Sequence, residues 1–219
     1  MSDTRHIEVS GSDLAHGVPE NDYLRLLTWP LNRPLSAPLQ QRARGAREWY
    51  AQHGRPFLAA RRLSITALGL DRVTLETGDV LTGVALAERL RALEAPALAV
   101  VAASSGSEAT VLAERMWADG RPDEGFFLDR LAAGVTETLL QRARSLLSDP
   151  TLAEAEYASP HLSPGSAEWD LADQSILMRL LADTDPVVCG PITLLDSGAL
   201  DPAHSALAVY GLARRAPGG

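Results

Sequence analysis

Apolar residues recur along this chain with two different periods, and the changes between them divide it into elements. The first 20 residues are polar and glycine-bearing. Only His6 to Val9 suits a short strand there, so 1–20 reads as a polar N-terminal tail or a sheet edge. Asp22 to Thr28 carries apolar residues at helical spacing and stops before Pro30. The stretch from there to Pro38 also holds Pro34 and reads as a connector. Pro38 to His53 is expected as a helix ended by Gly54, a position that suits a left-handed cap. The period then shortens. Leu63 to Leu70 and Arg72 to Glu76 read as a strand pair, Thr82 to Leu93 as a helix, and Ala97 to Ala103 as a buried strand. Ser107 to Ala118 and Glu124 to Leu147 read as helices separated by Gly120 and Pro122. The second carries the stripe Phe127, Leu131, Val135, Leu139, Ala143 and Leu146, a core face at helical spacing. Asp170 is placed to cap a further helix that turns Ile176, Leu177, Leu180 and Leu181 inward. Ile192 to Leu195 and Ser205 to Leu212 read as the last strands, and 213–219 as a frayed tail.

Helices and strands are mixed rather than regularly alternating, and no repeat or heptad array interrupts them. The fold class expected is therefore α+β: one domain over 21–212, with a largely antiparallel twisted sheet flanked by helices. A doubly wound parallel sheet is the alternative. Apolar residues make up 46% of the 219, enough for one ordinary core.

Composition removes whole reaction classes. All 20 basic residues are arginine, and there is no lysine. Pyridoxal-phosphate aldimines, Schiff-base aldolases, P-loop nucleotidases and protein kinases all need a lysine amine. Arginine replaces lysine as a charge but does not give up its proton to become a nucleophile. The single Cys189 excludes an intrachain disulfide and any multi-cysteine metal site, and points to a reducing compartment. The net charge of −8 argues against a broad nucleic-acid or anionic-membrane surface. Arg42, Arg44 and Arg47 form the densest basic cluster, and a solvated helix face explains them more simply than a phosphate groove. No segment approaches the roughly 20 apolar residues of a membrane span, and the N-terminus lacks an apolar signal run. A cytoplasmic setting is expected.

Generic motifs add little. No Gly-x-Gly-x-x-Gly follows a strand, and no Gly-x-Ser-x-Gly elbow occurs. The histidines at 6, 16, 53, 161 and 204 never fall at metal-ligand spacing, so no metal site is expected. Ser104-Ser105-Gly106-Ser107 suits a strand-to-helix turn with a capping serine. Cys189, after two valines, reads as a buried, inert thiol.

The last third carries more. His161-Leu162-Ser163-Pro164-Gly165-Ser166, followed by Leu171, Gln174 and an apolar helix, resembles a stretch of the activation (reactivation) domain of cobalamin-dependent methionine synthase. That family carries Arg-x-x-Pro-Gly-Tyr there, and its shorter stand-alone members continue with a leucine and a glutamine. Pro202-Ala203-His204-Ser205 and the strand bearing Tyr210-Gly211 resemble the family's Pro-x-x-Ser segment and its following strand. The resemblance covers roughly residues 60–212. It implies an accessory module that binds S-adenosylmethionine and docks over the corrinoid of a partner. There it would support reductive remethylation of cobalamin during methionine biosynthesis. The partners implied are a corrinoid-binding methyltransferase, the methionine synthase core, and an electron carrier of the flavodoxin type. Cobalamin would be carried by the partner, and no catalytic residue is assigned to this chain.

The resemblance also implies site residues. Glu137 matches a helix glutamate that faces the ligand's ammonium. It shares the polar face of its helix with Arg130, Gln141 and Arg144, so a solvated glutamate is the competing reading. Ser163, Pro164 and Gly165 match the loop whose backbone approaches adenosine, where a plain Pro-Gly turn needs the same backbone freedom. Tyr210 matches a tyrosine whose hydroxyl lies at the ligand; packing is the alternative for an aromatic on a strand. His161 stands where the family arginine clamps the ligand's carboxylate, and a neutral imidazole makes no bidentate pair. That loss is worth about 1.5–3 kcal/mol, roughly tenfold to a hundredfold in affinity. Ser166 replaces the motif tyrosine. Arg179, Arg214 and Arg215 are the sequence-near cations that could compensate. Two other readings stay open: a degenerate scaffold that caps a corrinoid protein without binding S-adenosylmethionine, and a small-molecule enzyme repurposed on this scaffold.

Overall fold

A computed structural model of the protein describes residues 5–7, 9, 11–149, 156–166, 169–182 and 188–214. The centre of the molecule is β5 (Ala97–Ser104), whose eight residues are all buried. Burial on both faces is what an uninterrupted apolar strand requires. Its neighbours β2 (Phe57–Leu68) and β10 (Ser205–Arg214) both run antiparallel to it. Outward from β2 lie β3 (Arg72–Leu75) and β4 (Val80–Thr82); outward from β10 lies β6 (Glu156–Ala158), giving the order β4-β3-β2-β5-β10-β6. The short β1 (Arg5–His6) pairs with the opposite end of β2 at Ala59 and Ala60. Every pairing is antiparallel, and the fold is α+β as the sequence predicts.

Each face of the sheet buries a separate core. One is covered by α1 (Gly11–Gly17), α2 (Glu20–Leu26), α3 (Ala37–His53) and the long α6 (Pro122–Leu147). Along α6, Phe127, Leu131, Val135, Leu139 and Ala143 are buried in that core, as their spacing predicts. α5 (Glu108–Ala118) packs beside α6. The other face carries α4 (Val84–Ala92), α7 (Gln174–Leu181) and a small antiparallel sheet of β7 (Val188–Cys189), β8 (Ile192–Leu194) and β9 (Leu200–Asp201). Cys189 is buried there. Among the described residues no helix is long and apolar enough to cross a membrane.

Several expectations are corrected. Residues 11–17, read as part of a polar tail, form α1, and Leu14, Ala15 and Val18 lie in the core. Arg47 explains why a helix with so few apolar residues holds: its guanidinium donates to the Ala15 and Val18 carbonyls at 2.6 and 3.1 Å, stacks over Tyr23 and pairs with Glu20. That arginine therefore does not belong to a solvated face. The expected tail at 213–219 begins too early, because Ala213 is buried and pairs with Tyr157; residues 215–219 lie outside the described residues. Gly54 follows α3 but is not left-handed, with φ −63°. Glycine is needed there because a Cβ would stand 2.6 Å from the Tyr50 ring. The helix expected from Thr82 starts at Val84, since residues 80–82 pair with β3. Pro122, read as a separator, occupies the first turn of α6, where its missing N–H costs nothing. Asp170 does cap, accepting from Ala172 N at 2.9 Å ahead of α7. In the Ser104–Ser107 turn the bonding serine is Ser104, whose Oγ accepts from Gly106 N at 3.1 Å, and not Ser107.

Candidate ligand-binding site

The sheet brings His161 against Tyr210 at one edge, and α6, which carries Glu137, meets Tyr210 at Leu140. Beyond β6 the chain rejoins β10 through a single bridge, with Leu162 and Val209 exchanging both backbone hydrogen bonds at 2.9 and 2.8 Å. In such a pair the flanking residues turn their N–H and C=O groups outward. His161 and Ser163 thus present backbone N–H groups to the open edge, and no group among the described residues accepts from them. The His161 ring lies over the Tyr210 ring, with centroids 5.7 Å apart and planes inclined at 51°. No hydrogen-bond partner reaches its nitrogens among the described residues.

Tyr210 is fully buried, and its hydroxyl donates to the Leu140 carbonyl of α6 at 2.8 Å. It therefore packs in the core beneath His161, as the competing reading expects, and its hydroxyl is not free for a ligand. Burial pushes its phenol well above the ordinary range; the Glu137 carboxylate adds to that rise and Arg144 opposes it. Glu137 is exposed and has neither an ion pair nor a hydrogen bond among the described residues. Arg144, two turns further along α6, is half-buried: Nε donates to Ala158 O at 3.0 Å and a terminal nitrogen to the Tyr157 hydroxyl at 3.2 Å.

Ser163 to Ser166 form the turn that follows. Gly165 has φ +84°, a conformation that favours glycine, and its N–H donates to Trp169 O at 2.8 Å. Pro164 is buried, while Gly165 and Ser166 are exposed. The Ser166 hydroxyl closes the turn on Ser163 O at 2.5 Å. The far end is anchored by Trp169, whose Nε1 donates to the buried Asp173 carboxylate at 2.7 Å; the same oxygen accepts from Thr82 N at 2.7 Å. From the opposite face Arg89 of α4 donates to the carbonyls of Pro160 and His161 at 3.2 and 3.4 Å.

Arg144, Arg89 and the Trp169–Asp173 anchor are additional residues that sequence reasoning did not single out for the site. Arg144 carried one signal, its place with Glu137 on the polar face of α6; Arg89 carried none. Of the cations expected to compensate for His161, Arg179 is taken by Asp79, Arg214 is exposed at the end of β10, and Arg215 lies outside the described residues.

Two other features lie apart. His204, in the Pro202–Ser205 segment, donates from Nε2 to Asp129 at 2.7 Å, and Arg130 holds the second oxygen of that carboxylate. A groove of about 510 Å³ between α3, α5 and α6 is lined by Arg42, Trp49, Met116, Glu124 and Leu128 and shares no residue with the edge.

No family model matches the chain, and no curated protein matches it at the level of sequence. A solved structure does: the MetH reactivation domain bound to AdoHcy superposes with a TM-score of 0.72 over 95% of this chain and 78% of that one. The fold is that of a methionine synthase reactivation domain. At 15% identity the likeness is one of backbone path, so it places elements and leaves each side chain to be argued separately. In this fold the backbone-exposed edge is set by the bridge to β10 and by Arg89 of α4, and the Pro164-Gly165 turn by the Trp169–Asp173 anchor ahead of α7.

Proposed function

We propose that this chain is an activation-type module that binds S-adenosylmethionine, or its product S-adenosylhomocysteine, along the edge formed by residues 161–165 and α6. It would serve a corrinoid-bearing methyltransferase, the methionine synthase core, during reductive remethylation. The observation that supports this reading is the superposition on a domain solved with AdoHcy bound, taken together with the residues this chain carries along its 161–165 edge. Those residues fit the ligand's chemistry. Glu137 is a carboxylate with no cation of its own, as an ammonium requires. The outward N–H groups of His161 and Ser163, beside the positive-φ turn at Gly165, suit a nucleoside read by backbone contacts.

When bound, S-adenosylmethionine supplies an activated methyl group; the cobalt chemistry belongs to the partner. This chain's part is positioning. Glu137 orients the amino-acid end, His161 backed by the buried Tyr210 ring forms the floor, and the Ser163–Gly165 backbone holds the nucleoside end. Calorimetry of the whole chain with S-adenosylmethionine tests the reading. Micromolar binding that weakens in Glu137→Ala supports it, and no heat at millimolar ligand overturns the donor role.

His161 and Ser166 favour a second reading, in which the scaffold caps a corrinoid protein without the donor. Co-sedimentation with a purified, cobalamin-loaded methionine synthase core lacking its own reactivation domain, in the absence of S-adenosylmethionine, separates the two. A complex from a chain that shows no calorimetric heat selects the second.

A further inference from the structure

Three of the six half-buried arginines among the described residues are matched by carboxylates, Arg47 by Glu20, Arg42 by Asp123 and Arg130 by Asp129, while Arg61 and Arg89 donate to backbone carbonyls instead. Arg144 is not matched either. Its contacts are the Ala158 carbonyl, the Tyr157 hydroxyl and the face of the Tyr157 ring, and no carboxylate among the described residues pairs with it. A guanidinium held in place by neutral acceptors keeps a fixed orientation, an undiminished charge and donors to spare. Glu137 is its mirror image, a carboxylate on the same face of α6 without a cation. Between them on α6, the Leu140 carbonyl accepts from the Tyr210 hydroxyl at 2.8 Å, so both groups flank the point where the helix meets Tyr210, beneath His161.

We infer that Arg144 takes the carboxylate of the ligand's amino-acid end, the task for which the His161 imidazole lacks charge. This rests on the reading that the edge binds S-adenosylmethionine or S-adenosylhomocysteine, and it deepens that reading by naming the group that selects an α-amino acid. Seven residues of helix separate Glu137 from Arg144 by about 10 Å along the axis. That span accommodates an amino-acid headgroup with a charge-assisted hydrogen bond of about 2.8 Å at each end. Arg89 also lacks a carboxylate partner among the described residues, but it arrives from α4, on the face of the sheet opposite Glu137 and Tyr210. Its role is to hold the 160–161 backbone.

The test compares wild type with Arg144→Gln by calorimetry, using the full chain and two probes. S-adenosylhomocysteine carries the amino-acid end; 5′-methylthioadenosine keeps the nucleoside and thioether and lacks it. Arg144→Gln should weaken S-adenosylhomocysteine about ten- to hundredfold, the range of one charged hydrogen-bonding group, and leave 5′-methylthioadenosine unchanged. Unchanged nucleoside binding also shows that the site is intact. Arg144→Lys, which keeps the charge without the fork, should fall between. Equal S-adenosylhomocysteine affinity in wild type and Arg144→Gln overturns the assignment alone. Parallel loss of both probes also overturns it and makes Arg144 a structural tie to β6. A wild-type chain that binds neither probe overturns the functional reading itself.

Discussion

The imidazole of His161 rests on the ring of Tyr210, 5.7 Å between centres, with no hydrogen-bond partner on its nitrogens among the described residues. A long cation at position 161 would start from the floor of the proposed site. His161→Arg introduced into Arg144→Gln is therefore expected to restore most of the S-adenosylhomocysteine affinity lost by the single substitution, again roughly tenfold or more. Calorimetry on the double variant checks this. Failure to recover any affinity would mean that residue 161 does not face the ligand's carboxylate.

The Tyr210 hydroxyl is committed to Leu140 O at 2.8 Å, inside the core between β10 and α6. Tyr210→Phe removes a buried donor from a carbonyl that belongs to a helix and so retains its intrahelical acceptor role. The expected cost is about 0.5–1.5 kcal/mol, read as a lower urea midpoint at unchanged slope. A variant as stable as wild type would show that this hydrogen bond does no more than replace one to water.

How much of this was legible in the sequence depends on where each element's stability comes from. β5 is eight apolar or small residues in a row, and α6 carries five turns of periodic core positions; both announce themselves. α1 does not. Its seven residues include two glycines, and what secures it is Arg47 from 30 residues downstream, gripping carbonyls that no local pattern can indicate. Gly54 was legible as a glycine-requiring position but not for its reason, which is the Tyr50 ring beside it. In the proposed site, the turn at Pro164-Gly165 was legible from its residues and the exposure of Glu137 from helical spacing, while their roles toward a ligand came from the resemblance. Arg144 could not be distinguished from Arg130 or Gln141 on the same polar face until the chain returned from α6 to lay Tyr157 and Ala158 against it.

The turn at Gly165 depends on an anchor four residues on. One oxygen of the Asp173 carboxylate accepts from both Trp169 Nε1 and Thr82 N, in a buried position. Asp173→Ala leaves both donors unpaired, at a cost of about 2–3 kcal/mol in a urea titration, while Asp173→Asn, which keeps an acceptor oxygen, should lose less. Because Trp169 O holds Gly165 N, Asp173→Ala should also weaken S-adenosylhomocysteine binding. Wild-type stability in the alanine variant would show that water satisfies the two donors.

The remaining test uses pH to read the Asp129 carboxylate. Burial by itself would raise its pKa, but hydrogen bonds from His204 and Arg130, and their charges, outweigh burial and hold it below the usual carboxylate range. A carboxyl depressed in the folded state binds protons more tightly when unfolded, so it stabilises the fold above the unfolded value near 3.9. That contribution fades as pH falls below about 4, toward the folded value. Asp129→Asn removes the charge and keeps the shape. At pH 7 it should be less stable than wild type by about 1–3 kcal/mol, with the difference closing as pH falls below about 4. Urea midpoints of the two proteins at pH 7, 5 and 3.5 measure it. A difference that stays constant across that range would assign the loss to altered packing around His204 rather than to the charge.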